Sequence, residues 1–182
     1  PTRRYTVKKI LLALCVLLSV FSNVTASSLP KKSDRAFVVD MSCKEEKVCI
    51  VSKTANDAWV AHALDLQRRT GVQATLIVTH GTGNIPFAQY ANDAANLLKV
   101  GTRGNGGVVF LFDNKEHKAR IEISRDLEGV IPDVTAKKIV ELFNETLGQS
   151  SKSSSFDPLA KSLVEVLDSI DTYVTEHHTQ KG

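Results

Sequence analysis

Charge of one sign is what this sequence has least of: 23 Lys and Arg face 20 Asp and Glu over 182 residues, a formal net charge of +3. Much of that excess sits at the start, where Arg3, Arg4, Lys8 and Lys9 precede an apolar run at residues 10–21 and the small-residue stretch Val24-Thr25-Ala26. This is the layout of an export signal, and cleavage is expected after Ala26. Residues 1–26 hold those four bases and no acid, so without them the formal charge falls from +3 to −1. A near-neutral remainder offers no phosphate-neutralising surface, which argues against nucleic acid as a partner. Long apolar runs are missing too: twelve residues fall short of the about 20 that span a bilayer. An uncleaved N-terminal anchor is the alternative to cleavage, and Leu14 before Cys15 is too bulky for lipid attachment. The expected location is therefore periplasmic or secreted.

Recognisable catalytic machinery is equally scarce. There is no Gly-x-Ser-x-Gly elbow, no His-Glu-x-x-His and no aspartyl-phosphate motif. The five histidines, His62, His80, His117, His177 and His178, are scattered, and no internal repeat is found. Of three cysteines only Cys43 and Cys49 lie beyond the signal. In an oxidising compartment such a close pair reads as a disulfide, and its small loop stabilises by about 2 kcal/mol. The alternative is one thiol pair of a metal site, although no second Cys or His pair follows at ligand spacing.

What the chain does contain is alternating strand and helix signals. Residues 27–35 read as a flexible lead-in, residues 36–176 as one domain and residues 177–182 as a tail. Short apolar runs at 36–39 and 48–51 suit strands, tied by the cysteines across a turn through Lys44, Glu45 and Glu46. Thr54 is the expected cap of a helix at 55–70 whose stripe is Trp59, Ala63 and Leu66, with Gly71 ending it. A strand at 72–79, a helix at 86–100, a helix at 136–147 capped by Asp133, a serine linker at 150–155 and a last helix opening on Asp157-Pro158 complete the pattern. The expected fold is α/β: a single-domain α/β/α sandwich whose mixed sheet contains an antiparallel hairpin.

The hairpin comes from residues 101–133. A glycine-rich turn leads to the unbroken apolar run at 108–112, then a polar turn at 114–117, then Ile121 and Ile123 alternating with Arg120 and Glu122. Glycine there invites a phosphate loop, but this one runs from helix into strand and no Gly-Lys-Ser/Thr follows, so a tight structural connection is expected. The His80-Gly81-Thr82-Gly83 loop lacks the later acid of a dinucleotide fold. Asn144-Glu145-Thr146 is a glycosylation sequon placed awkwardly within a helix. Asp40, Asp113, Glu128 and Asp133 each fall at or near a strand end, where an α/β sheet takes ligands and where gathered carboxylates suit a hard cation.

The order of glycine turn, Gly107-Val108 with its apolar strand, polar turn, Arg120-Ile121-Glu122-Ile123, then Leu127-Glu128-Gly129-Val130-Ile131-x-Asp133 resembles the TPM domain family. That family includes thylakoid lumen proteins of photosystem repair, nematode receptor-accessory proteins and bacterial exported proteins. In place of the family's Gly-Tyr-Gly before the Leu-Glu-Gly motif this chain has Ser124, Arg125 and Asp126, and in place of Asn before the Gly-Val pair it has Gly106. By resemblance, Glu128 and Asp133, and more loosely Asp40, are expected to hold a divalent cation, Ca²⁺ before Mg²⁺. Competing with that role, Asp133 would only cap its helix while Glu128 pairs with Arg125 or Lys137. The resemblance implies a monomeric accessory or maintenance factor for a membrane-associated protein complex. Since the tail carries neither a transmembrane span nor a glycine-rich extension, attachment would need the N-terminus or a partner. A metal-assisted acid phosphatase, with Glu128 and Asp133 holding the ion, is the alternative. A structural module with a site degraded by Ser124, Arg125 and Asp126 is the third.

Overall fold

The fold is that of a computed structural model describing residues 29–31, 36–45, 49–101, 105–150 and 157–178. The expected export segment at 1–26, most of the expected serine linker and the end of the expected tail lie outside them. In chain order the elements are β1 (Val38–Asp40), α1 (Ser42–Glu45), α2 (Lys53–Thr70), β2 (Gln73–Thr79), α3 (Phe87–Leu98), β3 (Gly107–Asp113), β4 (Lys118–Ile123), a 3-10 turn (Arg125–Leu127), α4 (Asp133–Ser150) and α5 (Pro158–His178). The sheet runs β1-β2-β3-β4, parallel through β3 and antiparallel at the β3–β4 hairpin. The mixed sheet and its hairpin are those expected from the sequence.

Every residue of β3 is buried, as its unbroken apolar run requires of a central strand covered on both faces. On one face α2, α4 and α5 bury Trp59, Leu66, Phe143, Leu163 and Val166 against Leu76, Val78, Phe110 and Phe112. Phe143 stands edge-on to Phe110 and Phe112, with ring centroids 4.9 and 5.2 Å away. The other face is covered by α3, whose Tyr90, Ala91, Ala94 and Leu98 meet Val39, Ile77, Val109 and Leu111. Helices on both faces make this the three-layer sandwich expected. Both parallel crossovers step the same way across the sheet, yet α2 and α3 cover opposite faces. They therefore have opposite hands, and one is of the rare left-handed kind.

Several local expectations are corrected. No strand forms at Ile50 and Val51; Val51 packs into the core ahead of α2 instead. The cap of α2 is Ser52, whose hydroxyl accepts from Ala55 N–H at 3.0 Å, and not Thr54, which lies inside the helix. Asp133 is the first residue of α4 rather than its cap, and the Pro132 carbonyl accepts from Thr135 and Ala136 N–H. Asp157 does cap α5, accepting from Leu159 and Ala160 N–H at 3.0 and 3.1 Å. It also accepts a hydrogen bond from the Ser52 hydroxyl, which joins the two helix starts. Within the expected lead-in, Leu29 packs on the second core and Pro30 is buried. The helix expected to stop at 147 reaches Ser150, and α5 runs through His178, into the expected tail.

Candidate functional site

Adjacent strands whose helices leave for opposite faces open a crevice at their carboxyl ends, the usual ligand place in such sheets. Here that place lies beyond β1 and β2, and Asp40 ends β1 there. Asp40 is engaged by its own chain: Oδ1 accepts from Ser42 N–H at 3.0 Å and from the Ser42 hydroxyl, and Oδ2 accepts from Val51 N–H at 2.8 Å. Ser42 Oγ in turn accepts from Ile50 N–H at 3.2 Å. The Cys43–Cys49 disulfide closes the segment between these bonds, so the pairing expected from the sequence is present.

Asp113 ends β3 at the same edge and is 1% exposed. Its Oδ1 accepts from Gly81 N–H at 2.9 Å, Lys115 N–H at 2.9 Å and Glu116 N–H at 3.3 Å. The carboxylate thus fastens the His80–Gly83 loop to the hairpin turn, a structural task.

Glu128 and Asp133 lie at the opposite edge. In register, Asp40 is level with Val78, Phe112 and Ala119, whereas Ile123 at the far end of β4 is level with Val108 and Ala74. The loop after Ile123 is held beside Gly106, where an added Cβ would lie 2.6 Å from Leu127 Cγ. Phe112 is six residue steps along the strand from Gly106, about 20 Å. An ion holding its oxygens at roughly 2.4 Å cannot take both Asp40 and Glu128. The structure keeps Glu128 and Asp133 on one loop and does not bring Asp40 to them.

That loop is firmly seated. Leu127, Val130 and Ile131 are buried in the main core, while Asp126, Glu128 and Asp133 are exposed. The Glu128 N–H donates to Arg125 O at 3.3 Å, but its carboxylate has no hydrogen bond or ion pair among the described residues, and Lys137 pairs with Glu141 at 4.0 Å instead. A methyl added at Gly129 would meet nothing within 4 Å. Ser124, one of the departures from the family pattern, accepts from Gly107 N–H through its hydroxyl at 2.9 Å and donates its own N–H to Gly107 O at 2.9 Å.

The TPM domain profile matches residues 49–155, more than half of the chain. The chain belongs to the TPM domain family. No curated protein matches it significantly. The solution NMR structure of the N-terminal domain of a P. gingivalis protein is similar to it, with a TM-score of 0.62 at 14% identity over 82% of this chain and 94% of that one. BA42 from the psychrophilic bacterium Bizionia argentinensis gives a TM-score of 0.50 at 14% identity, over 68% of this TPM protein and 83% of BA42. At such identities the likeness concerns the fold alone.

Two features escaped the sequence. Among the described residues, the one trio of His, Cys, Asp or Glu with ligand atoms within 4.8 Å of one another is Asp40, Cys43 and Cys49, so the acids of the 126–133 loop are not gathered that tightly. A cleft of about 480 Å³ lies between the hairpin turn, α4 and the start of α5, lined by Phe112, Asn114, His117, Asn144, Leu147 and Leu159 among others. Its polar members come from two elements far apart in the chain, Asn114 and His117 in the hairpin turn and Asn144 in α4, so no motif announces it. Among the described residues no histidines gather into a ligand cluster: His62 pairs with Asp168 at 3.3 Å on the helical face, and His177 bonds back to Tyr173 O at 2.9 Å. No helix among the described residues is long and apolar enough to cross a membrane.

Proposed function

We propose that this TPM domain works by binding, as an accessory or maintenance factor docking on a membrane-associated protein complex, with Ca²⁺ taken at the Glu128–Asp133 loop and Mg²⁺ less readily. The observation that supports this is the contrast between the two sheet edges. The acids nearest the usual ligand crevice, Asp40 and Asp113, are each fixed by backbone N–H groups and, among the described residues, gather with no other carboxylate into the oxygen set a hard cation takes, while the exposed acids sit on a core-anchored loop about 20 Å of strand away. Metal-assisted phosphate hydrolysis needs an ion, an activated water and the ester at one point, with carboxylates converging there. An exposed loop bearing Glu128, Asp133 and a bare Gly129 suits an ion or a partner surface better than a closed reaction site.

The metal-assisted acid phosphatase is the competing function. A phosphate monoester incubated with the domain in Ca²⁺ or Mg²⁺ distinguishes them. Turnover no higher than the blank is expected for both wild type and Glu128→Gln. Turnover by wild type that disappears in Glu128→Gln would overturn the binding role in favour of catalysis.

A further inference from the structure

We propose that the Cys43–Cys49 disulfide is reversible and that, once it is reduced, the two sulfurs and the Asp40 carboxylate form a binding site for a thiophilic divalent cation such as Zn²⁺. One ligand atom from each of the three lies within 4.8 Å of the others, a grouping no other His, Cys, Asp or Glu trio among the described residues attains. The disulfide is not the only bond that holds this segment together. Ser42, beside Cys43, and Ile50 and Val51, just after Cys49, are all bonded into the Asp40 carboxylate or the Ser42 hydroxyl. These bonds keep the cysteine Cα atoms, now 4.3 Å apart, close to one another after the sulfurs part. Cys49 is exposed, so an attacking thiolate can reach it, while Cys43 and Asp40 are half-buried.

The step balances with a dithiol as reductant. Its two thiols give two electrons and two protons, ending as a disulfide, while the Cys43–Cys49 bond breaks to leave two thiols. Cation binding then releases both protons to solvent, since the thiolate is the ligand. Two sulfurs and one carboxylate oxygen make three of the four tetrahedral positions, and water takes the fourth. The amide donors on Asp40 fix the carboxylate's orientation, as outer hydrogen bonds do for metal ligands. Thiolates select soft or borderline cations, so this site is separate in chemistry and place from a calcium loop at Glu128.

The test uses the folded domain, reduced with a dithiol that is then removed by gel filtration under inert gas, and titrated with Co²⁺. The expected result is one equivalent of Co²⁺ bound with a thiolate-to-cobalt charge-transfer band, displaced by Zn²⁺ and missing from the oxidised protein. Cys49→Ser, at an exposed position, should lose that band with an unchanged circular dichroism spectrum. Asp40→Asn should keep a thiolate band but weaken Co²⁺ binding by about tenfold or more. The proposal is overturned if the reduced protein shows no such band, if oxidised and reduced forms bind Co²⁺ alike, or if reduction itself unfolds the domain. Unweakened binding in a folded Asp40→Asn protein removes the carboxylate from the site.

Discussion

Gly101 and Gly107 show what the glycine-rich stretch is for. Gly101 has φ 83°, and a Cβ on it would lie 2.2 Å from Gly107 N, so the two backbones touch where a side chain would stand. That is the tight connection expected in place of a phosphate loop. Gly101→Ala should lower stability by at least about 2 kcal/mol in chemical denaturation, combining left-handed strain with a backbone clash. Gly129→Ala, whose Cβ would meet nothing within 4 Å, should change it by no more than about 0.5 kcal/mol. Equal losses in the two would contradict this division between a packing glycine and a surface one. Gly106, standing where the family has Asn, follows the same steric logic: at φ 111° and against Leu127 it leaves no room for a side chain.

At the scale of elements, α2 and α5 are joined by more than apolar packing. Arg69 reaches Asp65 and Asp171, both at 2.6 Å. Hydrogen bonds from Arg69 and Arg68 hold the Asp65 carboxyl below its ordinary value of 3.8, and the Asp171 and Asp65 carboxylates raise the Arg69 guanidinium above its own. A depressed acid contributes stability above its unfolded value and loses it as pH falls through the folded one. Arg69→Met should therefore lower the thermal midpoint at neutral pH, with the gap to wild type closing well below pH 3.8. A gap as wide in acid as at neutrality would assign the loss to packing. Periodicity made α2 legible in the sequence, since Trp59, Ala63 and Leu66 repeat at helical spacing. The strand expected at 48–51 was not legible, because a short apolar run does not say whether it pairs or merely packs. Asp40 drawing Val51 N–H to itself decided that case.

Across the whole molecule, the hairpin and its flanking helices could be read from residues 101–133 because their pairing is local. Strand order could not, for nothing in the sequence states that two successive crossovers place their helices on opposite faces. The same gap explains the candidate site. Glu128 and Asp133 are five residues apart and stay on one loop, whereas the relation of Asp40 to them depends on register through β2 and β3. The residues were identifiable as strand-end acids, and their division between two edges became visible only with the sheet. The most direct measurement of that division is a Ca²⁺ titration of the domain followed by backbone amide shifts. Shifts confined to the 125–134 loop, with Val51, Gly81 and Lys115 amides unmoved, are predicted. Shifts at Val51 and Glu128 that follow a single binding curve and one equivalent of ion would contradict it.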